Sequence, residues 1–268
     1  MSRIPDWLQE PEVAGCPVDG LARFEAHRAV LRRKRMIRSV FDGFHKTFVD
    51  LDKRYLHGEG QVIELGAGVY PVRETVPGVL ATDVVAAPHL DSVLDAGEMN
   101  LPDSSVRAFY LQNVFHHFPD PDRFFRELER TLVPGGGAIL IEPASGPFAS
   151  WLYPRLFATE GYDKGAPDWQ TPVGGPMSGA NQALSFLVFD RDRERFRTTH
   201  PGLEIVHRDV LPSWPRYLVS GGLNFRSLLP GFMTTPLRWF EAMLSPLRSA
   251  LGLHRVVVLR KHAGIDAR

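Results

Sequence analysis

The stretch VIELGAGVYP, residues 62–71, decides the fold of this chain. An apolar run ends here in an acid, Glu64, and two glycines come next, Gly66 and Gly68. A glycine turn directly after the first strand of a parallel sheet is typical of proteins that bind a nucleotide-like cofactor. The position where a third glycine can stand holds Tyr70, so the turn departs from the fingerprint of dinucleotide-binding proteins.

Composition limits the class of protein. The chain has 268 residues, 44% of them hydrophobic, and its formal net charge is zero, so we expect a substantial buried core and no nucleic-acid partner held by bulk positive charge. The single cysteine, Cys16, can form no internal disulfide. The first residues lack the layout of a signal peptide and no long apolar run is present. We therefore expect a cytoplasmic protein.

Short apolar runs bounded by glycine and proline alternate with helical or loop segments, as buried parallel strands do. The runs are 61–65, 78–85, 91–95, 108–113, 138–142, 203–211 and 253–261. They predict an α/β fold with a Rossmann-like, doubly wound, mostly parallel seven-stranded sheet whose last strand is antiparallel, together with N-terminal helices and a lid insert.

Helical patterns lie at both ends of this region. An apolar stripe at steps of three and four predicts a helix over 35–56, and a thinner line predicts another over 20–35. The basic run at 32–35 favours a solvated helix end, with an acidic ligand or a membrane surface as the alternatives. A third helix is predicted after Asp120, which can cap it, and Pro134 with three glycines is expected to end it.

The chain is predicted to be one domain with excursions at one rim. Its parts are an N-terminal helical extension, a cofactor-binding core, a lid or substrate insert, and the final strands with a helical excursion, at 1–58, 59–142, 143–202 and 203–261.

Two ligands fit such a turn. A dinucleotide requires the turn to approach its pyrophosphate, whereas S-adenosylmethionine has no phosphate and needs room for methionine and a carboxylate for the ribose hydroxyls. Asp83, at the end of the second predicted strand, can supply that carboxylate in either class. Tyr70 interferes more with the first ligand than with the second.

The order of motifs resembles the class I S-adenosylmethionine-dependent methyltransferases, especially the small-molecule group called type 11. The matching motifs are VIELGAGVYP, TDVV, LDAGEMNLPDSSV and LQNVFHHFPDPDRFFRELERTLVPGGGAILIEP, between 62 and 143. The resemblance implies S-adenosyl-L-methionine as the cofactor and a methyltransferase activity. The cofactor-binding residues that it implies are Glu64, Gly66, Ala67, Gly68, Tyr70, Asp83, Val84, Asp95, Ala96, Gln112 and Asn113.

Two positions depart from the family pattern. Tyr70 replaces the third glycine, and we expect its ring over the methionine end, facing the sulfonium. Arg107 stands where the family commonly has an aspartate at the start of the fourth strand, which changes a strand-end contact. Glu64 and Asp95 have an alternative interpretation as caps of strand ends.

Three residues are candidates for the base that methylation of a hydroxyl requires. His116 and His117 come after the fourth strand, and Glu142 ends the fifth. Each histidine has a second interpretation as a residue that shapes the pocket, and Glu142 has one as a carboxylate bonded to backbone. No cluster with metal-ligand spacing stands out, so no metal is expected.

The acceptor is expected among the excursions. Glu160, Asp163, Asp168 and Asn181 are candidates to bind a polyol, with Trp169 stacked on it or placed in the core. A weaker similarity to surface-polysaccharide methyltransferases favours a small-molecule, glycan or lipid-linked acceptor and O-methylation. An apolar face over 237–251, kinked at Pro246, is expected to pack on the sheet edge or in a homodimer, with peripheral contact at the inner face of the membrane as the alternative. A dinucleotide-dependent oxidoreductase and a non-catalytic cofactor-binding subunit are the other functions considered.

Overall fold

The computed structural model describes residues 6–263, apart from residue 18 and residues 157–159, 172–174 and 176–178. The predicted insert at 143–202 lies partly outside the described residues. Strands within the described part are β1 (Gln61–Leu65), β2 (Val79–Asp83), β3 (Ser92–Val93), β4 (Val106–Gln112), β5 (Leu132–Pro143), β6 (Leu203–Leu211) and β7 (His254–Lys261). They form one sheet in the order β3-β2-β1-β4-β5-β7-β6. Strands β1 to β5 pair in parallel, and β7 is antiparallel to both of its neighbours, which confirms the predicted sheet.

Two strands differ from the prediction in length. The third is only Ser92–Val93, because it lies at the sheet edge and pairs with the last two residues of β2 alone. The fifth begins at Leu132, directly after the helix that ends at Thr131. The expectation that Pro134 and its glycines end that helix was therefore wrong. Gly137 instead lies within β5, where a Cβ atom would collide with the backbone oxygen of Leu259 in β7.

Helices cover both faces of the sheet and fill the excursions. They are α1 (Leu21–Arg33), α2 (Arg35–Tyr55), α3 (Pro121–Thr131), α4 (Pro147–Leu156), α5 (Leu184–Phe186), α6 (Arg193–Thr199), α7 (Trp214–Ser220), α8 (Thr234–Leu244) and α9 (Arg248–Leu251). Short 3-10 turns lie at Asp6–Leu8, Val72–Glu74, Phe115–His117, Gly231–Met233 and Ser245–Leu247, and a π turn at Leu187–Arg191. Asp120 caps α3 as predicted, since its side chain accepts the N–H groups of Asp122 and Arg123.

Alternation along the central strands divides the core into two layers. On β4, Phe109 and Leu111 face the layer that α3 covers, whereas Ala108 and Tyr110 face α2. The stripe predicted for α2 is confirmed, because its phenylalanines at 41, 44 and 48 are buried against that second face.

The junction between α1 and α2 differs from the prediction of a solvated basic run. Arg32, Arg33 and Arg35 are exposed, but Lys34 is only 5% exposed. Its ammonium donates to the carbonyls of Gly222 (2.8 Å) and Phe225 (2.6 Å). The prediction was wrong at Lys34, because these acceptors come from a distant part of the chain.

The carboxyl ends of β1, β2, β4 and β5 meet at one edge of the sheet, where open α/β sheets bind their ligands. The excursions between β5 and β6 and between β6 and β7 begin at the same edge, since His254 pairs with both Pro143 and Leu211. In the described part of the chain, no helix combines the length and apolar character needed to cross a bilayer.

Candidate active site

The glycine turn connects β1 to the carboxyl edge. Gly66 and Gly68 adopt φ values of 63° and 55°, a left-handed region that favours glycine. A Cβ atom at Gly66 would lie 2.5 Å from a methyl group of Val114. The N–H of Ala67 donates to the carbonyl of Thr82 in β2 (2.8 Å), which holds the turn against the neighbouring strand. The glycines therefore permit both the turn and its close contact with the segment after β4.

Glu64 closes the far side of this turn. Its buried carboxylate accepts the N–H of Val72 at 2.7 Å. Burial, and secondly the nearby charge of Asp83, raise the pKa of Glu64 well above its usual range, while the bond from Val72 opposes that rise. The contact has the form of the strand-end cap that was the alternative interpretation of Glu64.

The side chain of Asp83, at the end of β2, lies against the glycine turn. One carboxylate oxygen accepts the N–H of Gly68 (3.1 Å) and the other that of Val85 (3.0 Å). A carboxylate has about four lone-pair positions, so these contacts leave acceptor capacity for a ribose hydroxyl. Val84 beside it is 53% exposed and offers an apolar surface at the same edge.

Asp95 and Ala96 form a tight turn next to Asp83. The carboxylate of Asp95 accepts the N–H of Gly97 (2.7 Å), and Ala96 is buried. The N–H of Leu94 donates to the carbonyl of Asp83 (3.0 Å), which places this turn beside the end of β2. The two residues implied for adenine thus adjoin the one implied for ribose.

At the end of β4, the side chains of Gln112 and Asn113 each carry an oxygen without a hydrogen-bond partner among the described residues. The side-chain oxygens of both are buried and accept no hydrogen bond within the described structure. Asn113 has a φ of 55°, a strained value for a residue with a side chain. Buried acceptors without partners are costly in a folded protein. Their position beside the glycine turn fits the ammonium group of a bound methionine moiety, so the residues present fit S-adenosylmethionine.

Tyr70 lies against α2. Its hydroxyl donates to Asp42 (2.8 Å), and its ring stacks on His45 with centroids 5.0 Å apart. The ring therefore packs between the turn and α2. These contacts are those of a packing residue rather than of a ring placed over the sulfonium.

His116 is fixed by Glu142. The carboxylate of Glu142 is fully buried and accepts the N–H groups of Val114 (3.0 Å) and Phe115 (2.9 Å). Its other oxygen lies 2.6 Å from Nδ1 of His116. Glu142 thus holds both the 3-10 turn Phe115–His117 and the orientation of the imidazole, a carboxylate and histidine arrangement that fixes which nitrogen carries the proton.

Glu160 is the residue that sequence reasoning did not connect with the histidines. Its carboxylate lies 3.6 Å from Nε2 of His116, beyond ordinary hydrogen-bond length, and its side chain is 25% exposed. Burial alone would lower the pKa of His116, but the charges of Glu142 and Glu160 outweigh it and raise that pKa to about 9. His116 therefore carries a proton at neutral pH.

His117 has a different environment. Its ring centroid lies 4.3 Å from that of His116, and its Nδ1 is buried without a partner among the described residues. Burial, together with the charge on His116, lowers the pKa of His117 to about 3. Two adjacent histidines therefore differ in protonation because only one of them contacts a carboxylate.

The same cluster could hold a cation. Ligand atoms of His116, His117 and Glu160 all lie within 4.8 Å of one another. Spacing along the chain did not indicate this group, because Glu160 comes from the insert after β5.

The other proposed acceptor residues have partners within the protein. Trp169 is 1% exposed and its indole N–H donates to Asp192 (2.9 Å), so it is a core residue and cannot stack on a sugar. Asp168 pairs with Arg195 (2.8 Å). The Asn181 oxygen accepts the N–H of Asp163 (2.9 Å) within the insert. Of the four polar residues that the sequence placed with the acceptor, Glu160 brings a carboxylate to Nε2 of His116. Asn181 adjoins the same histidine, since its N–H donates to the carbonyl of His116 (3.0 Å).

Arg107, the second departure from the family pattern, lies at the opposite edge. It pairs with Asp52 of α2 through both guanidinium nitrogens, one of them at 2.9 Å, and the hydroxyl of Tyr110 donates to the same carboxylate. This contact ties α2 to the start of β4 and leaves the carboxyl edge unchanged.

Comparisons with known proteins agree with this geometry. Residues 77–140 match a family described as methyltransferase domain. A search of curated proteins found no match. A geranyl diphosphate C-methyltransferase from Streptomyces coelicolor A3(2), solved with S-adenosyl-L-homocysteine, is 14% identical over 96% of this chain and 90% of that chain, with a TM-score of 0.51. An S-adenosylmethionine dependent methyltransferase from Mesorhizobium loti is 15% identical over 80% of this chain and 97% of that one, with a TM-score of 0.43.

At such identities the first of these structures supports the fold, and the matched segment supports the activity. The alternative of a dinucleotide-dependent oxidoreductase has no support from either. The sheet order, the glycine turn and the matched segment together support an S-adenosylmethionine-dependent methyltransferase.

Proposed function

We propose that the protein transfers a methyl group to a hydroxyl oxygen of a small-molecule or glycan acceptor, with His116 as the residue that accepts the hydroxyl proton. The observation that carries this proposal is the position of His116 between Glu142 and Glu160 at the carboxyl edge of β4 and β5. S-adenosylmethionine supplies the electrophilic methyl carbon when bound. The similar C-methyltransferase shows that the fold does not decide which atom is methylated, so the oxygen rests on this chain's own residues.

The cofactor would be held along the carboxyl edge of β1, β2 and β4. Asp83 would bind the ribose hydroxyls, the turn at Asp95 and Ala96 would border adenine, and the orphan acceptors of Gln112 and Asn113 would receive the ammonium of the methionine moiety. Glu64 would contribute indirectly, by holding the N–H of Val72 and with it the glycine turn.

We propose a path for the proton. Because Nδ1 of His116 faces Glu142, its Nε2 faces Glu160, and in this proposal the acceptor hydroxyl binds on that side. His116 can act as a base only in its neutral form, which its pKa of about 9 makes the minor form at pH 7 and the main form in alkaline solution. In that form the lone pair of Nε2 can take the proton of a hydroxyl as the oxygen forms its bond to the methyl carbon. Glu160 then stabilises the imidazolium that results, and Glu142 acts as a positioning residue since its carboxylate is fully buried.

We propose that a proton on His116 balances the carboxylates of Glu142 and Glu160, whose charges raise the pKa of the imidazole to about 9. The pKa of His117 is about 3, so this histidine is neutral at pH 7. It would line the pocket without accepting the proton.

The test is transfer of labelled methyl from S-adenosylmethionine to a cell extract, with identification of the methylated atom. An O-methyl product that His116→Asn abolishes, with cofactor affinity kept, supports the proposal, and His117→Asn is the matched control. Label on nitrogen or carbon, or normal turnover in His116→Asn, would overturn it.

A further inference from the structure

Exposed apolar side chains concentrate in one segment of the molecule. Six of the twelve large apolar side chains that are exposed among the described residues fall within 228–247. They are Leu228, Phe232, Trp239, Phe240, Met243 and Leu247. Trp239 is 77% exposed and Phe232 is 76% exposed. Exposed large apolar side chains that concentrate in one segment are typical of an interaction surface. We call it the apolar rim.

The fold holds this surface outward. Trp239, Met243 and Leu247 succeed one another at steps of four, so they form one stripe along α8 and the turn after it. The opposite side of α8 is anchored by Glu241, which accepts the N–H (2.9 Å) and the guanidinium (2.7 Å) of Arg216. Arg216 also donates to the carbonyl of Ser39 in α2 (3.1 Å). The stripe is therefore presented by a helix that is tied to the core. The predicted single apolar face is divided, since Phe240 and Leu247 are exposed whereas Leu237, Leu244 and Leu251 are half-buried.

The charge around the apolar rim is positive. Glu241 is the only acid between residues 210 and 253, and it is buried with Arg216. Arg238 is exposed within the segment, and Arg226 is exposed just before it. Arg35 lies next to Gly231, and it is exposed together with Arg32. The apolar surface is thus bordered by arginines and carries no exposed acid of its own.

Its place in the fold relates it to the active site. The excursion that contains α8 leaves β6 at Leu211 and returns at His254, which pairs with Pro143 at the end of β5. Glu142, which orients His116, directly precedes Pro143. The excursion that carries the apolar rim therefore begins and ends at the same edge of the sheet as Glu142 and His116.

We propose that the apolar rim binds the surface of a bilayer that contains anionic lipid. A stripe of Trp239, Met243 and Leu247, with exposed phenylalanines close to it in the chain and arginines beside it, has the composition of a helix that lies in the interface of a membrane. A second copy of the chain fits this surface less well, because a two-fold contact would set the same arginines against one another, and like charges oppose association. Anionic headgroups complement them. The proposal goes beyond the proposed function and does not depend on which atom is methylated.

Vesicle sedimentation of the full chain tests the proposal. We expect binding to vesicles of phosphatidylcholine with phosphatidylglycerol, and much weaker binding to phosphatidylcholine alone. The double variant Trp239→Ser with Met243→Ser should lose at least about tenfold in binding, since it removes two large apolar side chains from the interface. The control, Leu80→Ser with Val93→Ser, alters exposed apolar side chains at the far end of the sheet and should bind as the parent does.

The charge is tested separately. Replacing Arg226 or Arg238 by Gln should weaken binding to the anionic vesicles about fivefold for each arginine. Cofactor affinity checks that every variant is folded. The proposal is overturned if the parent fails to sediment with the anionic vesicles, if it binds both vesicles equally, or if Trp239→Ser with Met243→Ser binds as the parent does. A dimer in sedimentation velocity that this variant converts to a monomer, without vesicle binding by the parent, would assign the surface to a second copy instead.

Discussion

Replacing Glu160 by Gln should lower the pKa of His116 and leave its position unchanged. The substitution keeps the size of the side chain and removes one of the two negative charges that face the imidazole. Since these charges raise the pKa of His116 to about 9 against the effect of burial, the neutral imidazole should become populated at lower pH in the variant.

The distance between the two groups sets the size of the effect. At 3.6 Å between Nε2 and the Glu160 oxygen, two unit charges interact by about 1 kcal/mol in water and by about 5 kcal/mol at the effective dielectric constant near a protein surface. Glu160 is a quarter exposed, so the value lies between these limits. The pKa should fall by roughly one to three pH units.

Nuclear magnetic resonance of the histidine ring protons over the neutral and alkaline range measures this directly and requires no acceptor. His116→Asn assigns the resonance, and Glu98→Gln, an exposed glutamate paired with Arg123, is the control. In an activity assay, the acidic limb of kcat/KM should shift in the same direction by the same amount. If the midpoint of His116 is already near that of a free histidine in the parent, or does not move in Glu160→Gln, the proposed proton path is wrong.

Four further outcomes are expected. Asp83→Asn should weaken S-adenosylmethionine binding roughly tenfold to a hundredfold in calorimetry, since it removes a charged acceptor, whereas Asp50→Asn on α2 should have no effect; equal affinities would contradict the ribose assignment. Tyr70→Ala should lower the free energy of unfolding by about 2 kcal/mol through lost packing and leave cofactor affinity unchanged. A loss of cofactor affinity at unchanged stability would instead support a contact between the Tyr70 ring and the cofactor. Prolonged chelation should leave methyl transfer intact, and recovery of a lost activity by added metal would instead support a metal at the histidine cluster. Thermal stability should fall as the pH drops from about 6.5 toward 4. In this range the histidines of the unfolded chain bind protons, whereas four buried histidines of the folded protein stay neutral because their pKa values are about 4 (His27 and His45) or about 3 (His117 and His254). A stability that does not change with pH would contradict these lowered pKa values.

Local patterns predicted the sheet and its cofactor edge well. The run that ends at Gly66 and Gly68 and the acid at Asp83 are separated by one crossover, so their adjacency results from the rule that parallel strands end at the same edge. The Asp120 cap is likewise a short-range feature, because donor and acceptor are two or three residues apart.

Contacts between distant parts of the chain could not be predicted in this way. Lys34 is buried because the carbonyls of Gly222 and Phe225 meet its ammonium, and nothing near position 34 indicates those acceptors. The pairing of Glu160 with His116 has the same origin, since the insert folds back over the end of β4. In both cases we predicted the surroundings of a charged side chain from its neighbours in sequence. Its actual partners belong to another element of the fold.

The tyrosine in the glycine turn is explained by the segment on its carboxyl side. In dinucleotide-binding proteins, the third glycine precedes a helix whose free N–H groups receive a pyrophosphate. Here the turn leads through Pro71 into a single 3-10 turn, and the N–H of Val72 is already taken by the carboxylate of Glu64 at 2.7 Å. That N–H is not free to receive a pyrophosphate, and a single 3-10 turn stands where a phosphate-binding helix would begin. The site therefore favours a cofactor without phosphate whether or not a glycine stands at position 70. Tyr70 is tolerated because its ring points to α2, where Asp42 and His45 receive it.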